Sequence, residues 1–123
     1  MQTSLLTLGR ILLASLFVIS GIRKIMGWAG TLGFMQSKGL PATEILLAAT
    51  IALEIIGGLM IAFNMFAMPA ALLLAGFCLL SGVIFHNFWA VEAAQYGSQL
   101  AHFMKNVALA GGLLVTAASS QKD

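Results

Sequence analysis

The sequence predicts an all-α membrane protein in which four transmembrane helices form an antiparallel bundle, with a short interfacial segment after the first helix. The 123-residue chain is 60% hydrophobic and 8% charged, whereas soluble domains average about 25% charged residues. Its mean hydropathy is +1.00. The apolar residues form windows long enough to cross a hydrocarbon core, which requires about 20 helical residues. These windows cover residues 4–25, 42–63, 67–89 and 100–119.

The first window is predicted to remain as a helix rather than to be cleaved as a signal peptide. The residues before it contain no basic group, and Arg10 lies inside the apolar stretch, which is not the order found in a secretory signal. The following loop, 27–39, is the longest and contains Trp28 and Phe34 among glycines. This composition favours a short helix lying in the membrane interface.

Turn-forming segments separate the later windows. Gly39 and Pro41 precede the second window, residues 64–69 separate the second from the third, and residues 92–99 separate the third from the fourth. Connections this short make consecutive helices antiparallel neighbours. The windows use most of residues 1–123, so we expect a single transmembrane domain.

The composition argues against several classes of function. Cys78 is the only cysteine, so one chain contains neither an intrachain disulfide nor a zinc-binding cysteine quartet, and no metal site is predicted. The net charge of +2 comes from few ionisable groups and does not indicate nucleic-acid binding. The basic groups are better explained by lipid headgroups.

An even number of crossings places both termini on one side of the membrane and the first and third loops on the other. Six polar residues then lie within about two turns of the loop-side face. They are Lys24, His86, Asn87, His102, Lys105 and Asn106. Trp28, Phe88 and Trp89 are expected at the same face, where aromatic residues favour the interface and form a wall beside the polar group.

Two charged residues lie deeper in the predicted helices. Counted from the loop end, Arg10 and Glu54 are each roughly 20 Å along their helices. An unpaired charge at this depth costs about 2.5–3.5 kcal/mol or more, so an Arg10–Glu54 ion pair inside the bundle is predicted. Two alternatives stay open, namely that Arg10 snorkels to the terminal side and that Glu54 has a purely structural role.

Helical spacing gives each helix one polar stripe, and together the stripes predict a polar cavity. Its expected residues are Arg10, Lys24, Glu54, His86, Asn87, Lys105 and Asn106. In the alternative interpretation, Lys24 and Lys105 are ordinary flanking charges at the interface, and the His86–Asn87 pair only caps the third helix.

The chain resembles the DoxX family of small bacterial four-helix membrane proteins. The resemblance rests on the order and spacing of five segments. They are GRILLASLFVISGIRKI at 9–25, GLP at 39–41, ALEIIGG at 52–58, FHNFW at 85–89 and FMKNVALAGGLL at 103–114. The resemblance implies a location in the bacterial cytoplasmic (inner) membrane and an association with membrane redox complexes. The positions that match the family pattern are Arg10, Gly21, Lys24, Glu54, Gly58, His86, Asn87, Trp89, Lys105 and Asn106.

Several functions are compatible with these residues, and the sequence leaves open whether the protein is an enzyme. The first is a redox accessory that binds a quinone or a similar lipophilic molecule, with donors from the polar residues and an aromatic wall for the ring. The main alternative is a non-catalytic assembly subunit of a membrane complex. A small transporter is also considered, as is self-association into a homo-oligomer. Haem is the least favoured cofactor, with His86 and His102 as candidate axial ligands.

The distribution of basic residues predicts the orientation. Arg23, Lys24, Lys38 and Lys105 are on the loop side, against Arg10 and Lys122 on the terminal side. The positive-inside rule therefore favours cytoplasmic loops and periplasmic termini.

Overall fold

A computed structural model describes residues 1–120, and its long elements are all helices. They are α1 (Gln2–Met26), α2 (Trp28–Ser37), α3 (Thr43–Ala62), α4 (Ala67–Phe85) and α5 (Ala93–Ser119), with a 3₁₀ turn at Phe88–Ala90. Helices α1, α3, α4 and α5 are each long and apolar enough to cross a membrane. The predicted fold class is confirmed, and α2 is the short segment expected after the first transmembrane helix.

The connection between the third and fourth transmembrane helices differs from the prediction. Residues 92–99 were expected to form a loop, but α5 begins at Ala93, and α4 ends at Phe85 rather than at residue 89. Hydropathy shows where the apolar core of the membrane ends but not where a helix ends. A helix continues through polar residues because its backbone hydrogen bonds are formed within the helix itself. The chain leaves α4 at His86, whose φ and ψ are −126° and 45°.

The transmembrane helices associate as two pairs. Helix α1 packs along α3 and α4 packs along α5, the pairs meet through α3 and α4, and α1 touches α5 only sparsely. In the first pair the helices approach closely at glycines. Gly58 lies against Ala14, Phe17 and Val18, and Gly21 lies against Ile55. Since lipid supplies no hydrophobic force between helices, this close packing of small residues is what holds them together.

The apolar core occupies the half of the bundle near the termini. Phe17, Leu74 and Leu113 are almost completely buried there, surrounded by small residues from α4 and α5. Large apolar side chains cover the outside, as on Leu12 and Val115, which suits contact with lipid tails. Thr116 and Ser120 are buried polar residues in this half, whereas the buried carboxylate of Glu54 lies in the half near the loops.

We expect Gly58→Val to destabilise the α1–α3 pair. A Cβ at Gly58 would lie 2.9 Å from Val18 Cγ2 and 3.2 Å from the Ala14 carbonyl oxygen. Overpacking of this kind typically costs about 1–3 kcal/mol, measurable as a lower free energy of unfolding in detergent micelles. Gly76→Val is the matched control, because a Cβ at Gly76 meets nothing within 4 Å. An equal loss in both variants would contradict the packing role of Gly58.

Candidate functional site: a polar cavity in the bundle

A buried ion pair joins α1 to α3. Lys24 Nζ lies 2.9 Å from Glu54 Oε1, and the Glu54 side chain is 4% exposed. Lys24 also donates a hydrogen bond of 2.8 Å to Ser20 Oγ, one turn earlier on the same helix. Helical side chains lean towards the N-terminus, so Lys24 reaches down over Ser20 to the level of Glu54. The pair is the one ion pair formed within residues 1–120.

The predicted Arg10–Glu54 ion pair is wrong. Arg10 instead donates a hydrogen bond of 3.2 Å to Thr7 Oγ1, and it lines a groove between α1 and α5 near the termini. Its side chain therefore points towards the terminal side, as the snorkelling alternative expects.

The relative height of α1 and α3 explains this error. The contacts of Gly58 with Ala14 and Phe17, and of Gly21 with Ile55, place Glu54 near the level of Gly21. Arg10 is then roughly 16 Å further along α1. The prediction assumed that both helices end at one height, but α3 extends beyond the end of α1 and packs on α2. A hydrogen bond of 3.4 Å from Gln36 Nε2 to Thr43 Oγ1 links these two helices.

The ion pair forms one wall of a cavity of about 130 Å³ that all four transmembrane helices line. The structure brings five of the predicted site residues together here: Lys24, Glu54, His86, Lys105 and Asn106. Phe17 and Cys78 also line the cavity and belong to the apolar core, so they form its floor. The cavity therefore adjoins the apolar core on the side nearer the loops.

The contact between Glu54 and Lys24 is an ion pair rather than a hydrogen bond of good geometry. The Glu54 Oε1 atom is buried and accepts no hydrogen bond, although Lys24 Nζ lies 2.9 Å away. The ammonium group therefore compensates the carboxylate charge by proximity. Glu54 also lines the cavity, where its carboxylate is an acceptor.

His86 is held at the mouth of the cavity by residues of α5. Its Nδ1 lies 2.9 Å from Gln99 Oε1, and its ring stacks on His102 with centroids 4.9 Å apart. Since the Gln99 oxygen can only accept, Nδ1 carries the proton, and Nε2 of the neutral ring is left as an acceptor. The early start of α5, at Ala93, is what places Gln99 on a helix beside His86.

The aromatic residues form a separate cluster beside the mouth. The Phe88 ring contacts Trp89, Tyr96 and Phe103 at centroid distances of 5.2, 5.5 and 5.3 Å. The predicted wall residues Phe88, Trp89 and Trp28 do not line the cavity. Trp28 lies at the start of α2. The cluster packs the 3₁₀ turn onto α5 and so fixes the connection that carries His86.

Asn87 is also placed differently from the other predicted site residues. It does not line the cavity, and its buried Oδ1 has no hydrogen-bond partner in the described part of the chain. Its backbone carbonyl accepts a hydrogen bond of 2.9 Å from the amide of Ala90, which closes the 3₁₀ turn. The backbone of Asn87 therefore shapes the turn beside the site.

Sequence reasoning missed several polar neighbours of the site. Ser20 and Ser81 are uncharged and sit within apolar windows, and Gln99 was assigned to a loop. The signals were nevertheless present, since Ser20 precedes Lys24 by one helical turn and Cys78 shares a helix face with His86. Cys78 both packs in the core and lines the cavity.

The donor set suits an organic molecule with oxygen atoms. Lys24, Lys105 and Asn106 provide hydrogen-bond donors, while Glu54 and His86 provide acceptors. Among residues 1–120, no three His, Cys, Asp or Glu side chains come together as a metal site would require. The cavity can therefore hold a small polar ring or headgroup by hydrogen bonds from several helices.

Comparison with known proteins places the chain among bacterial membrane proteins. A family model described as DoxX matches residues 5–87. The chain is 32% identical over 113 residues to inner membrane protein YphA of Escherichia coli, covering 92% of this chain and 81% of that protein. It is 40% identical over 108 residues to inner membrane protein YqjF of the same organism, covering 88% and 78%. No solved structure gives a significant match.

These relatives and the four apolar spans identify a multi-pass protein of the inner membrane. The match to the family model ends at residue 87, so Lys105 and Asn106 lie beyond it. The structure adds these two α5 residues to the cavity. The orientation of the termini stays a prediction.

We expect Lys24→Met and Glu54→Gln each to destabilise the bundle more than the two changes together. Removing one partner leaves a buried charge uncompensated, which typically costs about 3–5 kcal/mol, whereas removing both does not. A double-mutant cycle on the free energy of unfolding measures the coupling. Arg10→Leu combined with Glu54→Gln is the control, and its effects should add because Arg10 lies at another level. Additive losses for Lys24 and Glu54 would contradict the ion pair.

Proposed function

The chain belongs to the DoxX family of integral membrane proteins, and on that premise we propose that it is a redox-associated accessory protein that binds the ring of a quinone, or of a similar lipophilic molecule, in the polar cavity. The observation that carries the proposal is Glu54. This carboxylate is buried inside the bundle, is paired with Lys24 at 2.9 Å, and lines a cavity that other polar side chains also line.

The size of the cavity supports a single ring. An engineered protein cavity of about 150 Å³ accommodates benzene, and this one measures about 130 Å³. It differs from such a cavity because it has hydrogen-bonding groups on several sides. Lys24 and Glu54 approach from the α1–α3 pair, and Lys105 and Asn106 approach from α5.

A quinone ring matches this arrangement chemically. Its two carbonyl oxygens are acceptors on opposite sides of the ring, and the lysines and Asn106 are donors. The reduced form carries hydroxyl groups instead, for which the Glu54 carboxylate and His86 Nε2 are acceptors. The same residues can therefore hold either redox form without moving charged groups into lipid.

The position of the cavity supports a role beside a membrane oxidoreductase. Quinones are lipid-soluble and reach proteins through the bilayer, and this cavity lies within a bundle whose outer surface is apolar. The protein would hold or deliver the quinone, while the electrons come from the partner complex.

We expect Lys105→Ala and His86→Ala to leave the bundle folded. Lys105→Ala should weaken binding of a quinone by about tenfold or more, since a hydrogen bond from a charged group contributes about 1.5–3 kcal/mol. His86→Ala should weaken binding of the hydroquinone by a few-fold, because the neutral ring accepts a hydrogen bond from its hydroxyl group. Native mass spectrometry with a methyl-substituted benzoquinone and its hydroquinone measures binding, and circular dichroism checks the fold. Arg23→Ala is the matched control, because Arg23 carries the same charge near the same face but is exposed and does not line the cavity.

Two results would contradict the proposal. If both variants unfold while Arg23→Ala stays folded, the cavity residues stabilise the fold and the proposal fails. A purified chain that binds no quinone, yet co-purifies with an oxidase or dehydrogenase, would favour the role of a non-catalytic assembly subunit.

A further inference from the structure

A second space lies on the other side of one wall of the polar cavity. It is a groove of about 380 Å³ between α3 and α4, closed at the loop end by Met35 and Leu40. Apart from the hydroxyls of Thr50 and Ser81, its lining is apolar. Leu46 and Leu80 on its rim are 39% and 61% exposed, so the groove opens sideways to the lipid.

The groove and the polar cavity share a wall. Phe77 and Ser81, one helical turn apart on α4, line both spaces. On α3 the division falls between adjacent residues, because Leu53 lines the groove and Glu54 lines the cavity. A molecule in the cavity is therefore separated from the groove by two half-buried side chains, of which Ser81 is small.

The volumes decide what each space can hold. The cavity, at about 130 Å³, is close to the size that accommodates benzene, so a ring fills it and leaves no room for an alkyl chain. A lipophilic ring compound also carries an alkyl chain. Burying that chain against the polar lining of the cavity would be unfavourable. The adjoining groove, at about 380 Å³, offers an apolar surface on the lipid side of the same wall.

We infer that the α3–α4 groove holds the aliphatic chain of the molecule whose ring occupies the polar cavity, and that the molecule enters sideways from the bilayer between Phe77 and Ser81. The inference rests on the proposed function, to which it adds the route of entry and the class of ligand, a ring with a single long apolar chain. The wall that the two spaces share at Phe77 and Ser81 is the observation that favours this occupant over an unrelated lipid tail.

A different route is available along the sparse contact between α1 and α5. Leu16 and Leu109 line the cavity there, and Leu13 and Gly112 continue into the groove that contains Arg10. That route leads towards a guanidinium group, whereas the α3–α4 groove has no charged lining residue. An apolar chain is therefore better accommodated between α3 and α4.

The test compares two probes in lipid nanodiscs. One is a benzoquinone that carries only methyl groups, and the other has a decyl chain ending in a photoreactive diazirine in place of one methyl. Irradiation should attach the decyl probe to α3 within residues 46–53 and to α4 within residues 80–84, as read by peptide mass spectrometry. Attachment to Leu13, Leu16 or Leu109 would overturn the route.

A pair of variants tests the groove without touching the cavity. Ala49 lines the groove and does not line the cavity, so Ala49→Phe should fill the groove and weaken binding of the decyl probe by about tenfold, because the chain loses part of its apolar burial there. Binding of the methyl-only probe should not change. Ala48→Phe is the matched control, because Ala48 is an exposed neighbour that lies outside the groove.

The outcomes separate this inference from the proposed function. If the methyl-only probe binds but Ala49→Phe and Ala48→Phe leave the decyl probe unaffected, the groove is not the chain site, although the cavity still binds the ring. If labelling of the groove is unchanged in Glu54→Gln and Lys105→Ala, the chain binds independently of the ring and the inference fails. If neither probe binds the unmodified protein, the proposed function fails and the inference fails with it.

Discussion

A charged carboxylate buried inside a transmembrane bundle is costly unless a cation lies beside it, and the structure around Glu54 follows from this constraint. Glu54 is 3% exposed, so its charge is compensated by Lys24 at 2.9 Å rather than by water. The pair ties α1 to α3 at the same contact surface where Gly21 and Gly58 allow the helices to approach closely. Close packing and charge compensation therefore depend on one register between these helices.

The same constraint divides the bundle into two halves. Near the termini the interior is filled mainly by apolar and small residues. Near the loops the ion pair requires polar surroundings, and His86, Lys105 and Asn106 provide them. The cavity is the space left between these long polar side chains, and Phe17 and Cys78 mark the level where it gives way to the core. The groove between α3 and α4 adjoins this level from the lipid side.

The candidate site was predictable from the sequence where helical periodicity and topology were sufficient. An even number of crossings places Lys24, His86, Lys105 and Asn106 at one face, and each of these residues lines the cavity. Periodicity does not give the relative height of two helices, and for this reason Arg10 was paired with Glu54. The height of α3 relative to α1 is set by the close contacts at Gly58 and Gly21, and the part of α3 beyond the end of α1 packs against α2.

A four-helix membrane bundle follows from the sequence alone, because a lipid environment leaves a chain this apolar few other ways to satisfy its backbone. The end of the bundle that carries the polar residues follows from it as well. The folded bundle is needed to show that Glu54 pairs with Lys24, that Arg10 lies in a separate groove, and that Phe77 and Ser81 separate a polar cavity from an apolar groove. These features depend on the register and facing of helices, which are set by side-chain packing between segments distant in the sequence.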